Sequence, residues 1–213
     1  MHRSSYDKMS AFRDRHLAGR EADPLLVYDL GSREVSGGSY RPLFDRPPWR
    51  YRGIDLERGN NVDVVVRDPY RWREIPSETA DVVVSGQALE HVEYFWVTLL
   101  EIRRVLKPGG LCCIIAPSGG PEHRYPVDCW RFFPDGMKSL ARYAAFEIVD
   151  IYGQEGETGY PDGSDLWRDT VFVGRKPFQS PVASLRENVR RHLLRVLTVP
   201  RRRREGRGKD GPS

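Results

Sequence analysis

Five short apolar runs recur along the first half of the chain: "LLVYDL" at 25–30, "YRGIDL" at 51–56, "VDVVV" at 62–66, "ADVVVSG" at 80–86 and "LCCIIAP" at 111–117. Most are rich in Val, Ile and Leu without polar alternation, which is how a strand reads when both of its faces are covered. Such strands, separated by helical or loop crossovers, pair in parallel and take helices on both sides. The pattern predicts an α/β fold with a doubly wound, Rossmann-like, mostly parallel sheet.

The stretch Val92–Leu106, "VEYFWVTLLEIRRVL", places Val92, Phe95, Trp96, Leu99, Leu100, Ile102, Val105 and Leu106 on or near one helical face, and "KPGG" then ends the helix and turns the chain into the next strand. Further on, "GMKSLARYA" predicts a short helix, and "AFEIVDIYG" at 145–153 and "DTVFVGRK" at 169–176 predict two strands. Two strands joined by a loop after a parallel series predict a C-terminal antiparallel hairpin at the sheet edge, completing seven strands. The loop between them, "GQEGETGYPDGSDLWR" at 153–168, is long for a hairpin connection and suits a lid or an oligomer contact.

A chain of 213 residues, 39% hydrophobic, supports one well-buried domain. The expected division is a helical lead-in over 1–24, the main domain over 25–177, an amphipathic helix over 178–199 and a basic disordered tail over 200–213. The tail carries six Arg and Lys against two acids, which equals the whole net charge of +4, so the body is neutral. A basic tail on a neutral body reads as an appended solvated segment and argues against a nucleic-acid face built into the fold. In the helix before it, Leu185, Val189, Leu193, Val196 and Leu197 form a stripe expected to pack on the domain, since it lacks the Trp and Phe of a membrane-surface helix.

Cys112 and Cys113 are strand neighbours that point to opposite faces and cannot bridge, which leaves Cys129 without a framework. That usage suits a reducing, cytoplasmic setting. The first twenty residues lack the apolar core of a secretory signal, and no run is long enough to span a membrane.

The strand tips carry the chemistry. "VYDLGS" ends an apolar run on Asp29 and falls into Gly31 and Ser32, which puts an acid and a turn without a side chain at the sheet rim, where open α/β sheets bind ligands. "GIDLE" puts Asp55 and Leu56 at the next tip, "RDPY" puts Asp68 and Pro69 at the third, and "SGQALEHV" puts Ser85, Gln87 and His91 at the fourth. In order, and together with "LKPGG", these motifs resemble the class I S-adenosylmethionine (SAM)-dependent methyltransferases, in particular the small-molecule, type 11-like group. The resemblance covers about residues 25–176.

The resemblance implies SAM as cofactor and S-adenosylhomocysteine as product. It implies that Asp29, Gly31 and Ser32 hold the amino-acid portion, with Gly38 and Ser39 of the unusually long "DLGSREVSGGS" loop beside them. Asp55 would accept the ribose hydroxyls, because a carboxylate can serve two donors. Leu56 would wall the adenine, Asp68 and Pro69 would flank its amino group, and Ser85 and Gln87 would line the methionine part. A nicotinamide enzyme would need Gly-x-Gly-x-x-Gly tight against a helix start, which "GSREVSGGS" does not supply. The clamp that DNA amino methyltransferases carry after the fourth strand is also absent, which counts against nucleobase chemistry.

Methyl transfer requires alignment of the acceptor and, for a hydroxyl, removal of a proton. His91 and His123 are the candidate bases, with helix capping or a backbone hydrogen bond as the alternative role of His91. Arg124, Tyr125, Asp128, Trp130 and Arg131 in "EHRYPVDCWRFF" offer cation, stacking and acceptor groups for the substrate, with Phe132 and Phe133 available to a sugar face. No Asp-Asp pair or zinc-like Cys/His spacing occurs, so metal independence is expected. The main expectation is O-methylation of a sugar or natural-product intermediate by a protein that allows a homodimer and needs no membrane. The alternatives are an RNA or protein methyltransferase that grips its substrate with the Arg-rich tail, or a methyltransferase-like binding subunit without catalysis.

Overall fold

The computed structural model describes residues 2–35, 37–156 and 159–199. The element order is α1 (Arg3–His16), β1 (Leu26–Leu30), α2 (Arg41–Phe44), β2 (Arg50–Asp55), β3 (Val64–Val65), β4 (Ala80–Gly86), α3 (Phe95–Val105), β5 (Leu106–Ala116), α4 (Pro134–Tyr143), β6 (Glu147–Gly153), β7 (Thr170–Arg175) and α5 (Pro181–Thr198). The strands form one seven-stranded sheet in the order β3-β2-β1-β4-β5-β7-β6, in which β7 runs antiparallel to both neighbours and the other pairings are parallel. This is the doubly wound sheet that the apolar runs predict, with its antiparallel hairpin at one end.

Each strand sends alternate side chains to two separate cores. Val83, Cys112, Ile114 and Phe172 pack with Leu99, Ile102 and Val105 of α3 and Met137 and Ala141 of α4. Val82, Val84, Cys113 and Ile115 pack with Met9 and Phe12 of α1 and Leu43 and Phe44 of α2. The adjacent cysteines therefore lie on opposite faces as free thiols, and burial raises both above the ordinary thiol range.

The starts of α3 and β5 differ from the periodic reading. Helix α3 starts at Phe95, not Val92, because residues 89–91 form a 3-10 turn and the Glu93 carbonyl is taken by the Trp130 indole N–H at 3.1 Å. Strand β5 starts at Leu106, five residues early. Leu106 pairs with Ala80 and Leu111 with Val82, so "KPGG" bulges out between them, with Gly109 at φ +80°.

The apolar stripe of α5 faces away from the domain, contrary to expectation. Leu185 is 64% exposed and Leu197 82%, and Val189, Leu193 and Val196 are also exposed. The reason is electrostatic. Glu101 and Arg103 of α3 are buried, and α5 turns its polar side to them: Arg191 donates to Glu101 at 2.7 Å, Arg103 stands 3.6 Å from Glu187, and only Leu194 reaches the apolar core. The expected basic tail at 200–213 lies outside the described residues. No helix among the described residues is long and apolar enough to cross a membrane.

Strand order reverses between β1 and β4, so the connections leaving their carboxyl ends run to opposite sides and a crevice lies between them. Glu101 holds one wall of it. Its Oε2 accepts the Trp72 amide at 3.0 Å and Arg104 Nε at 2.9 Å. Glu101→Ala removes the ion-pair partner of the half-buried Arg104 and Arg191 guanidiniums and the acceptor of the Trp72 amide, at a cost of about 3 kcal/mol. The expected result is a drop of at least about 6 °C in the unfolding midpoint, read by circular dichroism; an unchanged midpoint refutes this role.

Candidate functional site

A cavity of about 510 Å3 opens at the tips of β1, β2 and β4. Asp29, Gly31, Ser32, Gly38, Ser39, Asp55, Leu56, Pro69 and Gln87 line it, together with His91, His123 and Tyr125. Asp68, Ser85, Arg124, Asp128, Trp130 and Arg131 are not on its wall. Residues from six separate stretches thus meet in one place.

At the β1 tip the chain must turn without a side chain. Gly31 has φ +76°, and a Cβ there would lie 2.5 Å from the Ala88 Cβ on the loop after β4. The Gly31 and Ser32 amides both donate to the Ile54 carbonyl, at 2.9 and 3.1 Å, which fixes the turn to β2. Ser32 is buried and its hydroxyl donates to the Asn61 carbonyl at 3.1 Å, so it serves the loop's own structure.

Asp29 is 2% exposed. Burial raises its carboxyl to about 7, although the Tyr51 hydroxyl donates to it. The Tyr51 oxygen accepts from Asn61 Nδ2 at 2.9 Å, and the Arg41 guanidinium lies 4.4 Å from the Tyr51 ring centroid. Burial likewise pushes the Tyr51 phenol far above its ordinary range. None of Tyr51, Asn61 or Arg41 is marked in the sequence by a motif.

Asp55 accepts backbone donors at both oxygens: Leu56 N at 2.7 Å and Glu57 N at 3.3 Å on Oδ1, and Arg33 N at 3.1 Å on Oδ2. A carboxylate oxygen has two lone pairs, so Oδ2 keeps one for a further donor. Beyond it, Leu56, Val66, Pro69 and Trp72 make an apolar end, with the Trp72 indole tied to the Pro69 carbonyl at 3.1 Å. Asp68 points elsewhere because its Oδ1 accepts the Tyr70 amide at 2.8 Å, closing a turn.

Ser85 is also taken by the fold. It is buried, and its hydroxyl donates to the Leu30 carbonyl at 3.0 Å, joining β4 to β1. Gln87 has φ +57°, and its Nε2 donates to Asp169 at 2.8 Å. Asp169 is fully buried and also receives Ser4 Oγ at 2.8 Å and Lys8 Nζ at 3.2 Å, which anchors α1 over the cavity and brings His2 to its wall. Tyr40, buried and bonded to Ser5 at 2.6 Å, fits only because Gly86 faces it: a Cβ there would lie 1.9 Å from its hydroxyl.

The far end of the cavity is aromatic. Ring centroids of His91 and His123 are 4.9 Å apart, His123 and Trp167 4.4 Å, and His2 and Trp167 5.0 Å. The hairpin loop supplies Trp167, and Gly120 makes room for it, since a Cβ at Gly120 would sit 2.4 Å from the indole. His91 Nδ1 lies 2.6 Å from the Val127 carbonyl, which can only accept, so this nitrogen carries the proton and Nε2 keeps its lone pair. Burial lowers the His91 pKa, so the ring is neutral near pH 7. Of the two roles open to His91, the backbone hydrogen bond is present, and it leaves Nε2 free for chemistry.

Asp128, Arg131 and Trp130 brace this end from behind. Arg131 donates to both Asp128 oxygens, at 2.6 and 2.8 Å, and Asp128 accepts the His123 amide at 2.8 Å. The guanidinium beside it holds the Asp128 carboxyl well below the usual range. Trp130 packs edge-on against Phe95 and Phe132 is core, while Arg124 pairs with Glu122 in solvent.

A family model described as "Methyltransferase domain" matches residues 36–114. No curated protein matches the chain. Among solved structures, the Burkholderia thailandensis 1,6-didemethyltoxoflavin-N1-methyltransferase, with bound 1,6-didemethyltoxoflavin and S-adenosylhomocysteine, is 19% identical, with 82% of this chain and 79% of that one covered and a TM-score of 0.61. The cyclase SpnF is 16% identical, with 81% of each chain covered and a TM-score of 0.61. A SAM-dependent methyltransferase from Archaeoglobus fulgidus is 16% identical, with 81% and 95% covered and a TM-score of 0.56. At these identities the likeness is one of fold, and a fold by itself assigns no reaction. Residues 36–114 match a methyltransferase-domain model, and the chain shares the Rossmann-like fold of these SAM-dependent methyltransferase structures.

Proposed function

We propose that the chain is a SAM-dependent methyltransferase acting on a small molecule, with an oxygen of a sugar or natural-product intermediate as the acceptor. The observation that carries this reading is the cavity itself, with Asp29, Gly31 and Asp55 at one end and His91 and His123 at the other. Its volume suits a nucleoside ligand with a small acceptor beyond it.

The residues fit the cofactor. Gly31 leaves bare backbone where the amino-acid portion would lie, Asp29 offers a buried anion to the ammonium, Oδ2 of Asp55 has a lone pair for a ribose hydroxyl, and Leu56, Pro69 and Trp72 give an apolar slot for a base. When bound, SAM would supply an electrophilic methyl group on its sulfonium. The chain has to align the acceptor oxygen with that methyl and take the acceptor's proton. His91 Nε2, an unprotonated nitrogen on the cavity wall, is the group placed to do so. His123, Tyr125 and Trp167 border the same space. The Burkholderia relative is named for methylation at nitrogen, which needs the same alignment.

Asp55→Ala removes a charge-assisted acceptor and is expected to weaken S-adenosylhomocysteine binding by about 10- to 100-fold in isothermal titration. No binding of SAM or S-adenosylhomocysteine by the unaltered protein would overturn the proposal.

A pH effect follows from Asp29. Its carboxyl titrates at about 7, so it is mostly protonated at pH 6 and mostly ionised at pH 8. A cationic ammonium prefers the ionised form, so affinity rises with pH by up to about tenfold over that interval. Titrations at pH 6, 7 and 8 should show this slope in the unaltered protein and a flat profile in Asp29→Asn.

A further inference from the structure

Glu90 lies just behind the imidazole end of the cavity, and hydrogen bonding leaves it unexplained. The residue is 0% exposed, and neither carboxylate oxygen has a hydrogen-bond partner among the described residues. A carboxylate in that condition is costly unless a cation or proton compensates it. Arg131, the guanidinium with an attractive influence on it, is committed to Asp128 through both of its terminal nitrogens. What Glu90 faces instead is His91, whose Nε2 lies 3.7 Å from Oε1.

His123 completes the group. One ligand atom from each of Glu90, His91 and His123 lies within 4.8 Å of the other two. His123 Nδ1 is itself buried without a hydrogen-bond partner, with the Asp128 carboxylate 3.4 Å away. His91 is already held as a ligating histidine is held, with its other ring nitrogen on a backbone carbonyl and its lone pair turned to the cluster. Two imidazoles and one carboxylate are the donor set of Zn2+, Fe2+ and neighbouring divalent ions.

We propose that Glu90, His91 and His123 bind one divalent transition-metal ion that is open toward the cavity. This departs from the metal independence expected from the sequence, where no ligand spacing is visible because Glu90 and His91 meet His123 only through the fold. Bond lengths of about 2.1 Å would draw the ligand atoms roughly 1 Å closer together than they lie here. His91 and His123 line the cavity, so the open coordination position faces the acceptor. A bound ion would take up the His91 lone pair and lower the pKa of an acceptor hydroxyl in its open position, whose proton would pass to solvent water, in place of base catalysis by His91. That role rests on the methyltransferase reading; the binding site does not.

The test is titration of the full, untagged, metal-stripped chain with Co2+, followed by visible absorption, with Zn2+ as competitor. One equivalent is expected to bind with ligand-field bands that Zn2+ abolishes. Glu90→Gln and His91→Ala should each weaken binding at least tenfold, and Cys129→Ser, which removes the exposed thiol nearby, should leave it unchanged. Thermal unfolding shows that the variants are folded, and His123→Ala, a change in a surface loop, gives an independent reading if a buried variant is not. No saturable Co2+ binding, or binding that Glu90→Gln, His91→Ala and His123→Ala leave intact, overturns the site. S-adenosylhomocysteine titration of the same samples separates the two proposals: cofactor binding without metal sinks the metal site alone, and metal binding without cofactor sinks the methyltransferase reading alone.

Discussion

The site depends on one steric constraint: the chain leaving β1 must pass within contact of the chain leaving β4 without a side chain between them. Gly31 meets this in two ways, by its positive φ and by the 2.5 Å that a Cβ would leave to Ala88. The same turn gives both of its amides to Ile54, so β1, β2 and β4 are locked together at their tips. The crevice beside that lock exists because strand order reverses there, and every candidate site residue is placed by how far it lies from it.

The two ends of the cavity are built differently. At the β1–β2 end, Asp29, Tyr51, Asn61 and Arg41 form a chain of contacts in which each buried polar group is answered by another, and burial brings the Asp29 carboxyl into the physiological range. At the imidazole end the answer is incomplete: burial holds Glu90 up to about 8, and both of its oxygens are without donors among the described residues. One end is finished as a binding surface, and the other is poised for a positive charge.

Much of this was legible in the sequence. The apolar runs located β1, β2, β4, β6 and β7 to within two residues at each end, because apolar strands advertise themselves by composition. Val64–Val65 proved much shorter than "VDVVV", since β3 lies at the sheet edge with only β2 to pair with. Acids at strand tips were legible for Asp29 and Asp55, but Asp68 and Ser85 look the same in sequence and are taken up by a turn and a strand-to-strand bond. Whether a polar side chain faces a ligand or its own backbone depends on one dihedral, which no motif encodes. The α5 stripe misled for a related reason: amphipathicity gives a helix two faces and does not say which one the domain needs, and here two buried charges on α3 chose the polar one.

By itself the sequence determined the α/β class, the strand series, the helix before "KPGG", the opposite facing of the two cysteines and the glycine turn, because each follows from local periodicity or backbone sterics. Only the tertiary structure decided that α1 and the hairpin loop close the cavity with His2 and Trp167, that Asp128 and Arg131 are a brace, and that Glu90 meets two histidines. The contacts of His2 with Trp167 and of His91 with His123 join residues 165 and 32 positions apart. They exist only after the sheet has brought its loops to one edge.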